Sequence, residues 1–528
     1  MSRLMRRAGL VVTTTTLAGL IGLAPITPAT AATGSERVDS AAGWLATQLS
    51  NGLVHNDQYD FDDYGLTADA GLGLIKAGSN PAMVRQISHA LAQRVDAYVT
   101  GSDPAELYAG STAKLATFAQ ASGGNPRSFG GVDLIARLES TVASNAPIAG
   151  RISDTSQYGD YANTFGQAYA ARALSVAGSP KAAAATEFLL AQQCASGFFR
   201  IAFNADSTAA AQGCVEGQPG SEPDVDATAL AVVSLTEASA TGSLSGPVRA
   251  AVDKATAWLI AQQHADGSFG GSATTPTSNT NSTGLAAWAL ANAGACTVAG
   301  KAAGWIGGLQ LTSGAEAGAV AYDSAGLVAG IDPATRDQWR RATAQAIGGL
   351  TATLGSTTGA TLTSPTGFHR AEDTVTWTLS GAAPGSRFCF GAPMMSGYLI
   401  VTADASGSYV HTEKAGNPEP GFTLTGASGP TLVATPAKVL RKLTIPATLK
   451  KKVKRGKKQV VKVTGLAAGE SVTVKYGAKK RTGTADAQGR FTATFKVKKK
   501  AKLGKAKIKV TGEFPDIRKR TLTFRVRK

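Results

Sequence analysis

Between about residue 36 and residue 354 the hydrophobic and polar positions repeat as a two-part unit. The first part is amphipathic and often ends in Trp-Leu-x-x-Gln. The second is Ala-rich, nearly apolar, and ends in Ala-Gly or a close variant. The clearest copies pair 42–49 (AGWLATQL) with 66–78 (LTADAGLGLIKAG), 186–193 (TEFLLAQQ) with 226–239 (DATALAVVSLTEAS), and 256–263 (TAWLIAQQ) with 281–294 (NSTGLAAWALANAG). Residues 302–311 (AAGWIGGLQL) begin a last copy, and weaker ones cover 84–123 and 132–178. These clearest copies contain no proline, so the pattern predicts about six stacked helical hairpins, the apolar helices inside and the more charged ones outside. Six pairs can close into a double ring; an open solenoid is the alternative that periodicity alone does not exclude.

Aligning the second segments on their terminal Gly or Ser gives one polar column: Thr67, Thr112, Gln167, Thr228 and Thr283, each followed by Ala or Gly. In a closed ring this column is expected to line one mouth of the central cavity; the plainer alternative is a set of first-turn helix residues. Asp226 and Asn281, two positions upstream, are good helix N-cap types.

After Leu354 the period changes to two. Short alternating runs such as 374–379 (TVTWTL), 398–403, 471–476 and 521–526, broken by turns at 404–407 and 486–489, predict two small antiparallel sandwiches. The chain thus divides into a signal peptide (1–31), a helical repeat domain (36–354), a small β-sandwich domain (359–435) and a Lys-rich β-sandwich domain (438–528).

Charge sharpens that division. The chain carries 53 Lys/Arg and 36 Asp/Glu, a net +17. Residues 438–528 alone hold 30 basic and 4 acidic residues, so everything before them is net acidic. In 505–511 (KAKIKVT) and 522–527 (LTFRVR) cations alternate with apolar residues, which makes one sheet face core and the other positive. The dense runs supply a candidate polyanion site: Lys450, Lys451, Lys452, Lys454, Arg455, Lys457 and Lys458, with Lys498, Lys499 and Lys500. Its expected partner is an anionic cell-wall polymer or membrane surface. The segment has no Trp, and its Phe residues alternate into the core, so no specific nucleic-acid partner is expected.

At the N-terminus Arg3, Arg6 and Arg7 precede an apolar stretch and Ala29-Thr30-Ala31, the three-part signature of a secretory signal peptide. Arg6-Arg7 leaves Sec and twin-arginine export both open. A chain that is secreted, free or wall-associated, meets an oxidising compartment, so Cys194 and Cys214 are expected to form a disulfide. Cys296 and Cys389 either pair across domains or leave Cys389 as a buried strand residue.

The run Trp258-Leu259-Ile260-Ala261-Gln262-Gln263-His264-Ala265-Asp266-Gly267-Ser268-Phe269-Gly270 resembles the Gln-Trp-type repeat of the terpenoid cyclase and protein prenyltransferase superfamily, and 191–198 looks like a degenerate copy. The resemblance implies an all-α α6/α6 toroid over about 36–354, followed here by two all-β Ig-like sandwich domains. It implies much less about activity, because that superfamily hosts cyclases, prenyltransferases, cobalamin carriers and thioester proteins. Class II cyclases in it use an Asp-x-Asp-Asp acid. The matching stretch, Pro223-Asp224-Val225-Asp226-Ala227, keeps two acids and has Ala227 in place of the third. Asp226 stands at the family's proton-donor position, with Asp224 its neighbour. The inner segments offer few aromatics beyond Tyr169 and Trp288 to stabilise a carbocation. The prenyltransferase zinc pattern is missing: Thr228 stands where a Cys is needed, and the five His residues form no ligand pair.

No metal or other cofactor is expected. The acidic run 55–64 (HNDQYDFDDY), with Asp57, Asp60, Asp62 and Asp63, reads as a solvated connector, with Ca²⁺ the weaker alternative because its spacing fits no EF-hand loop. The resulting expectation is a secreted, non-catalytic binding protein. Its toroid holds an apolar or peptide ligand, and its basic β domain keeps it at the anionic cell envelope. The alternative is a cyclase or prenyltransferase-like enzyme centred on Asp226.

Overall fold

The structure, a computed structural model, describes residues 34–238, 244–391, 398–416 and 421–528. The expected signal peptide lies outside them. Helices come first: α1 (Gly34–Thr47), α2 (Tyr64–Ala77), α3 (Pro81–Ala92), α4 (Val95–Val99), α5 (Ala109–Ala121), α6 (Leu134–Thr141), α7 (Thr164–Val176), α8 (Ala182–Ala191), α9 (Val225–Ala238), α10 (Gly246–Gln262), α11 (Thr280–Asn292), α12 (Cys296–Gly308), α13 (Ser324–Ala329) and α14 (Arg336–Leu350). Helices α2, α5, α7, α9, α11 and α14 each pack on the next, and α14 returns to α2, so six inner helices form a closed cycle rather than an open solenoid. Helices α1, α3, α6, α8, α10 and α12 form the outer layer; α12, for example, touches both α11 and α14, and α1 touches α14 and α2.

Local chemistry explains the repeat. Ala in the inner segments favours helix. The Ala-Gly endings are helix stops: Gly78, Gly178 and Gly294 adopt positive φ, and each donates its N–H back to a carbonyl of the last turn. Glycine also lets the cycle close tightly, since a Cβ on Gly349 of α14 would stand 2.7 Å from the Gly284 carbonyl of α11.

The Gln that ends the outer segments joins one repeat to another. Gln193 Nε2 donates to the carbonyls of Gly197 and Ala251. Gln263 Nε2 does the same to Gly267 and Val298, and Gln310 Nε2 to Gly318 and Arg37. Each side chain therefore ties its own following turn to the backbone of a neighbouring outer helix.

Two residues after each of those glycines, a backbone N–H is caught by the polar column. Phe199 N–H donates to Thr228 Oγ1, Phe269 N–H to Thr283 Oγ1 and Val320 N–H to Thr343 Oγ1. Val54 N–H likewise meets Thr67 Oγ1, and Ile152 N–H meets Gln167 Oε1. The expectation that Thr67, Thr112, Gln167, Thr228 and Thr283 line the cavity mouth is therefore corrected. All five side chains are buried and bonded to backbone; four hold a loop behind the ring, and Thr112 bonds the Tyr108 carbonyl one turn back. Thr343 is a sixth member, hidden in the sequence because α14 opens with charged residues. Replacing Thr283 by Val leaves the buried Phe269 N–H unpaired and is expected to cost about 1–3 kcal/mol, readable in denaturant unfolding; an unchanged midpoint would show that the bond contributes nothing net.

A short sheet, β1 (Leu49–Ser50), β2 (Leu53–Asn56) and β3 (Phe61–Asp62), follows α1. Beyond the ring come β4 (Thr361–Thr363), β5 (Phe368–His369), β6 (Thr374–Ser380), β7 (Arg387–Gly391), β8 (Leu399–Thr402), β9 (Tyr409–Lys414), β10 (Phe422–Thr425), β11 (Leu432–Ala434) and β12 (Lys438–Val439). Sheets β4-β6-β9 and β11-β10-β7-β8 enclose a core around Trp377, Phe390 and Phe422. The last strands are β13 (Ala447–Leu449), β14 (Lys452–Lys454), β15 (Lys458–Val463), β16 (Ser471–Tyr476), β17 (Lys479–Thr484), β18 (Phe491–Lys496), β19 (Gly504–Thr511) and β20 (Lys519–Arg527). They form sheets β13-β15-β18 and β14-β20-β19-β16-β17 over a second core containing Val461, Phe495, Ile508 and Phe524.

Both cysteine pairs are bonded. Cys194–Cys214 closes the loop after α8, and Cys296–Cys389 links α12 to β7, fastening the first β unit to the helical ring. Among the described residues no helix is long and apolar enough to cross a membrane.

Candidate functional site

The inner helices surround a cavity of about 370 Å³, within the size range of small-molecule sites. Its apolar wall comprises Leu72, Leu230, Val233 and Leu285 with four aromatic residues, Tyr98, Phe165, Tyr169 and Trp288. Two ion pairs interrupt that wall. Lys114 Nζ of α5 lies 2.7 Å from Asp69 Oδ1 of α2. Arg172 Nε of α7 lies 3.3 Å from Glu237 Oε2 of α9, and Glu237 Oε1 also accepts the Trp288 indole N–H at 3.1 Å. The Ser234 hydroxyl is buried on this wall without a hydrogen-bond partner.

Burial tends to neutralise Lys114, but the Asp69 carboxylate outweighs it and raises its pKa, so the ammonium stays charged. Burial raises the Tyr98 and Tyr169 phenols, which remain protonated. Lys76, at the end of α2, is lowered by burial and sits 5.2 Å over the Trp288 ring. The cavity thus offers aromatic and aliphatic surface together with fixed, mutually neutralising charges.

Two residues after the polar column come Asp69, Lys114, Tyr169, Leu230, Leu285 and Gln345, and all six line the cavity. Two residues turn an α-helix by about 200°, so the column faces the loops and these residues face inward. The sequence carries this signal two positions beyond the conspicuous threonines.

Asp224 and Asp226 lie outside the cavity lining. Asp224 is buried and caps α9, its Oδ1 accepting the Ala227 N–H at 2.7 Å. Asp226 packs beneath the loop that contains Gly271. Burial pushes its carboxyl up to about 6, opposed by a hydrogen bond from Ser282 and helped by the Asp224 charge. Its Oδ1 is buried and unpartnered.

The acidic run does not converge on one point. Asp60 and Asp62 face His55 at 3.3 and 3.1 Å, Asp57 pairs with Arg340 at 2.9 Å, and Asp63 caps α2 and pairs with Arg341. Among the described residues no cluster of three or more His, Cys, Asp or Glu side chains is arranged for a metal ion.

The two lysine runs come together at one end of the last β unit. Arg455 Nε donates to the Ala501 carbonyl at 2.7 Å, and backbone bonds join Gly456 and Lys457 to Val497. Lys450, Lys451, Lys452, Lys454, Lys457, Lys458, Lys498, Lys499 and Lys500 are exposed there, whereas Arg455 is partly buried against the loop it bonds.

No family model and no curated protein matches the chain. Solved structures resemble it at low identity. A protein from Actinoplanes is 19% identical with a TM-score of 0.41, over 60% of this chain and 99% of that one. The type II terpene cyclase MstE from Scytonema, without ligand, is 15% identical with a TM-score of 0.43, over 60% of this chain and 97% of that one. An MstE variant in complex with geranylgeranyl dihydroxybenzoate gives 15% and 0.42 over the same shares.

Proposed function

We propose that this chain is a secreted, non-catalytic binding protein: an α6/α6 toroid holding an amphipathic small molecule, kept at an anionic cell envelope by its C-terminal Lys-rich Ig-like domain. The observation that carries the reading is the cavity itself. Its volume, its four aromatic walls and its two ion pairs suit a ligand with an apolar body and a polar group. The strongest acid candidate, Asp226, stands outside it. The two disulfides accord with an extracellular location.

Solvent extraction of the purified secreted chain, followed by mass spectrometry, tests this reading. A discrete compound is expected from the native chain and not from Leu230→Trp, which fills the cavity with an indole. Identical extracts from both chains would sink it.

A cyclase reading draws on one observation, the carboxyl of Asp226 held near 6 by burial with an unpartnered oxygen. Cyclised product from a linear polyprenyl substrate, lost in Asp226→Asn, would favour that reading over the first.

A further inference from the structure

The sheet β14-β20-β19-β16-β17 has an outer face made of Lys, Arg, Thr and Ser alone, and its register puts like charges directly opposite one another. Lys475 faces Lys480 on β17 and Lys509 on β19. Arg525 faces Lys505 on β19 and Lys452 on β14. All six side chains are exposed. None of these five strands contains an acidic residue. Among the described residues none of the six side chains has an ion-pair or hydrogen-bond partner. Like charges directly opposite on a sheet are destabilising, so the folded unit carries a repulsion that a bound polyanion relieves.

From this we infer that the face is the chain's docking surface for an extended linear anionic polymer, deepening the retention reading above and resting on it. The sheet sets the spacing: neighbouring strands stand about 4.8 Å apart, and alternate residues along β19, Lys505, Lys507 and Lys509, stand about 6.8 Å apart. A chain lying along β19 meets a cation at each of those steps and has further cations on both sides. Lysine ammonium groups are point charges that need no planar partner, so they read charge density whether the anion is phosphate or carboxylate. The face presents no aromatic side chain on which bases stack and no apolar side chain to enter a bilayer, which favours a polymer over single-stranded nucleic acid or a membrane. The regular strands hold these cations in place, whereas the lysine runs at the end of the unit lie largely in turns.

The test uses the full chain with two charge-matched variants, Lys475→Gln/Lys480→Gln/Lys507→Gln/Lys509→Gln on the face and Lys457→Gln/Lys498→Gln/Lys499→Gln/Lys500→Gln at the end. Long-chain polyphosphate and polygalacturonate are the probes, with oligodeoxythymidylate and phosphatidylglycerol vesicles as comparisons. The face variant is expected to bind both polymers roughly tenfold more weakly or worse, and to lose about 3 from the slope of log affinity against log salt, at about 0.7 per cation removed. The end variant is expected to change affinity less. An equal or larger loss in the end variant overturns the placement while leaving retention standing. Absence of salt-sensitive binding by the native chain overturns both. Tighter binding to the oligonucleotide or vesicles than to either polymer overturns the polymer assignment.

Discussion

Glu470→Gln is expected to destabilise the C-terminal β unit by about 3–5 kcal/mol, the cost of removing one partner from a buried ion pair. The Glu470 side chain is fully buried and that of Arg518 is 7% exposed. The guanidinium grips the carboxylate with two bonds, Nε to Oε1 at 2.6 Å and Nη2 to Oε2 at 2.7 Å. Each partner also holds the chain elsewhere: Oε2 accepts the Ala467 N–H, and Arg518 Nη1 donates to the Arg441 carbonyl. The pair thus fastens the turn before β16, the approach to β20 and the entry to the unit at one point. Removing the charge leaves an uncompensated guanidinium that water barely reaches. The C-terminal transition in denaturant or thermal unfolding reads the loss. The double change Glu470→Leu/Arg518→Met is expected to recover much of it, because an apolar pair leaves no buried charge. A loss below about 1 kcal/mol in the single variant would mean that water or rearrangement solvates Arg518 after all.

That pair was not legible in the sequence, where Glu470 reads as one of four acids scattered through a basic segment. Burial depends on strands distant along the chain, and no local pattern reports it. The helical repeat was legible because its causes are local. Gln263 and Gly267 sit within a single turn of one another, and Thr283 catches the Phe269 N–H that follows. The cavity was read less well. Each inner helix contributes only a few residues to it, and nothing local to Asp69 or Lys114 announces their partnership, which the fold alone creates. The threonine column drew attention by its regularity, and that regularity reflects a backbone bond repeated in nearly every repeat. The acidic run shows the opposite relation: its charges cluster in sequence, but His55, Arg340 and Arg341 draw them apart.

Asp226→Asn is expected to remove a pH dependence of roughly 3 kcal/mol, taking about 1.4 kcal/mol for each pH unit between a free aspartate near 4 and the folded group. In the fold the carboxyl titrates at about 6, because burial disfavours its charged form. The folded chain therefore holds this proton more tightly than the unfolded chain does. Below about pH 4 both states are protonated and the group contributes no penalty. Between about 4 and 6 unfolding releases a proton, so stability falls as pH rises. Above 6 the full cost of the buried carboxylate is present. Asparagine stays neutral throughout, so its stability profile should lack this fall. Asp154 is also raised by burial, remains in both chains and cancels in the difference; Asp224, raised by burial as well, interacts with the Asp226 charge, so its relief in the variant is part of the difference that is measured. The measurement is denaturant unfolding of the native chain and the variant at pH 4, 5, 6 and 7. A stability difference that grows by roughly 2 kcal/mol across the series supports a desolvated carboxylate at Asp226. A constant difference would place that carboxylate in contact with water and withdraw the one observation favouring the cyclase reading.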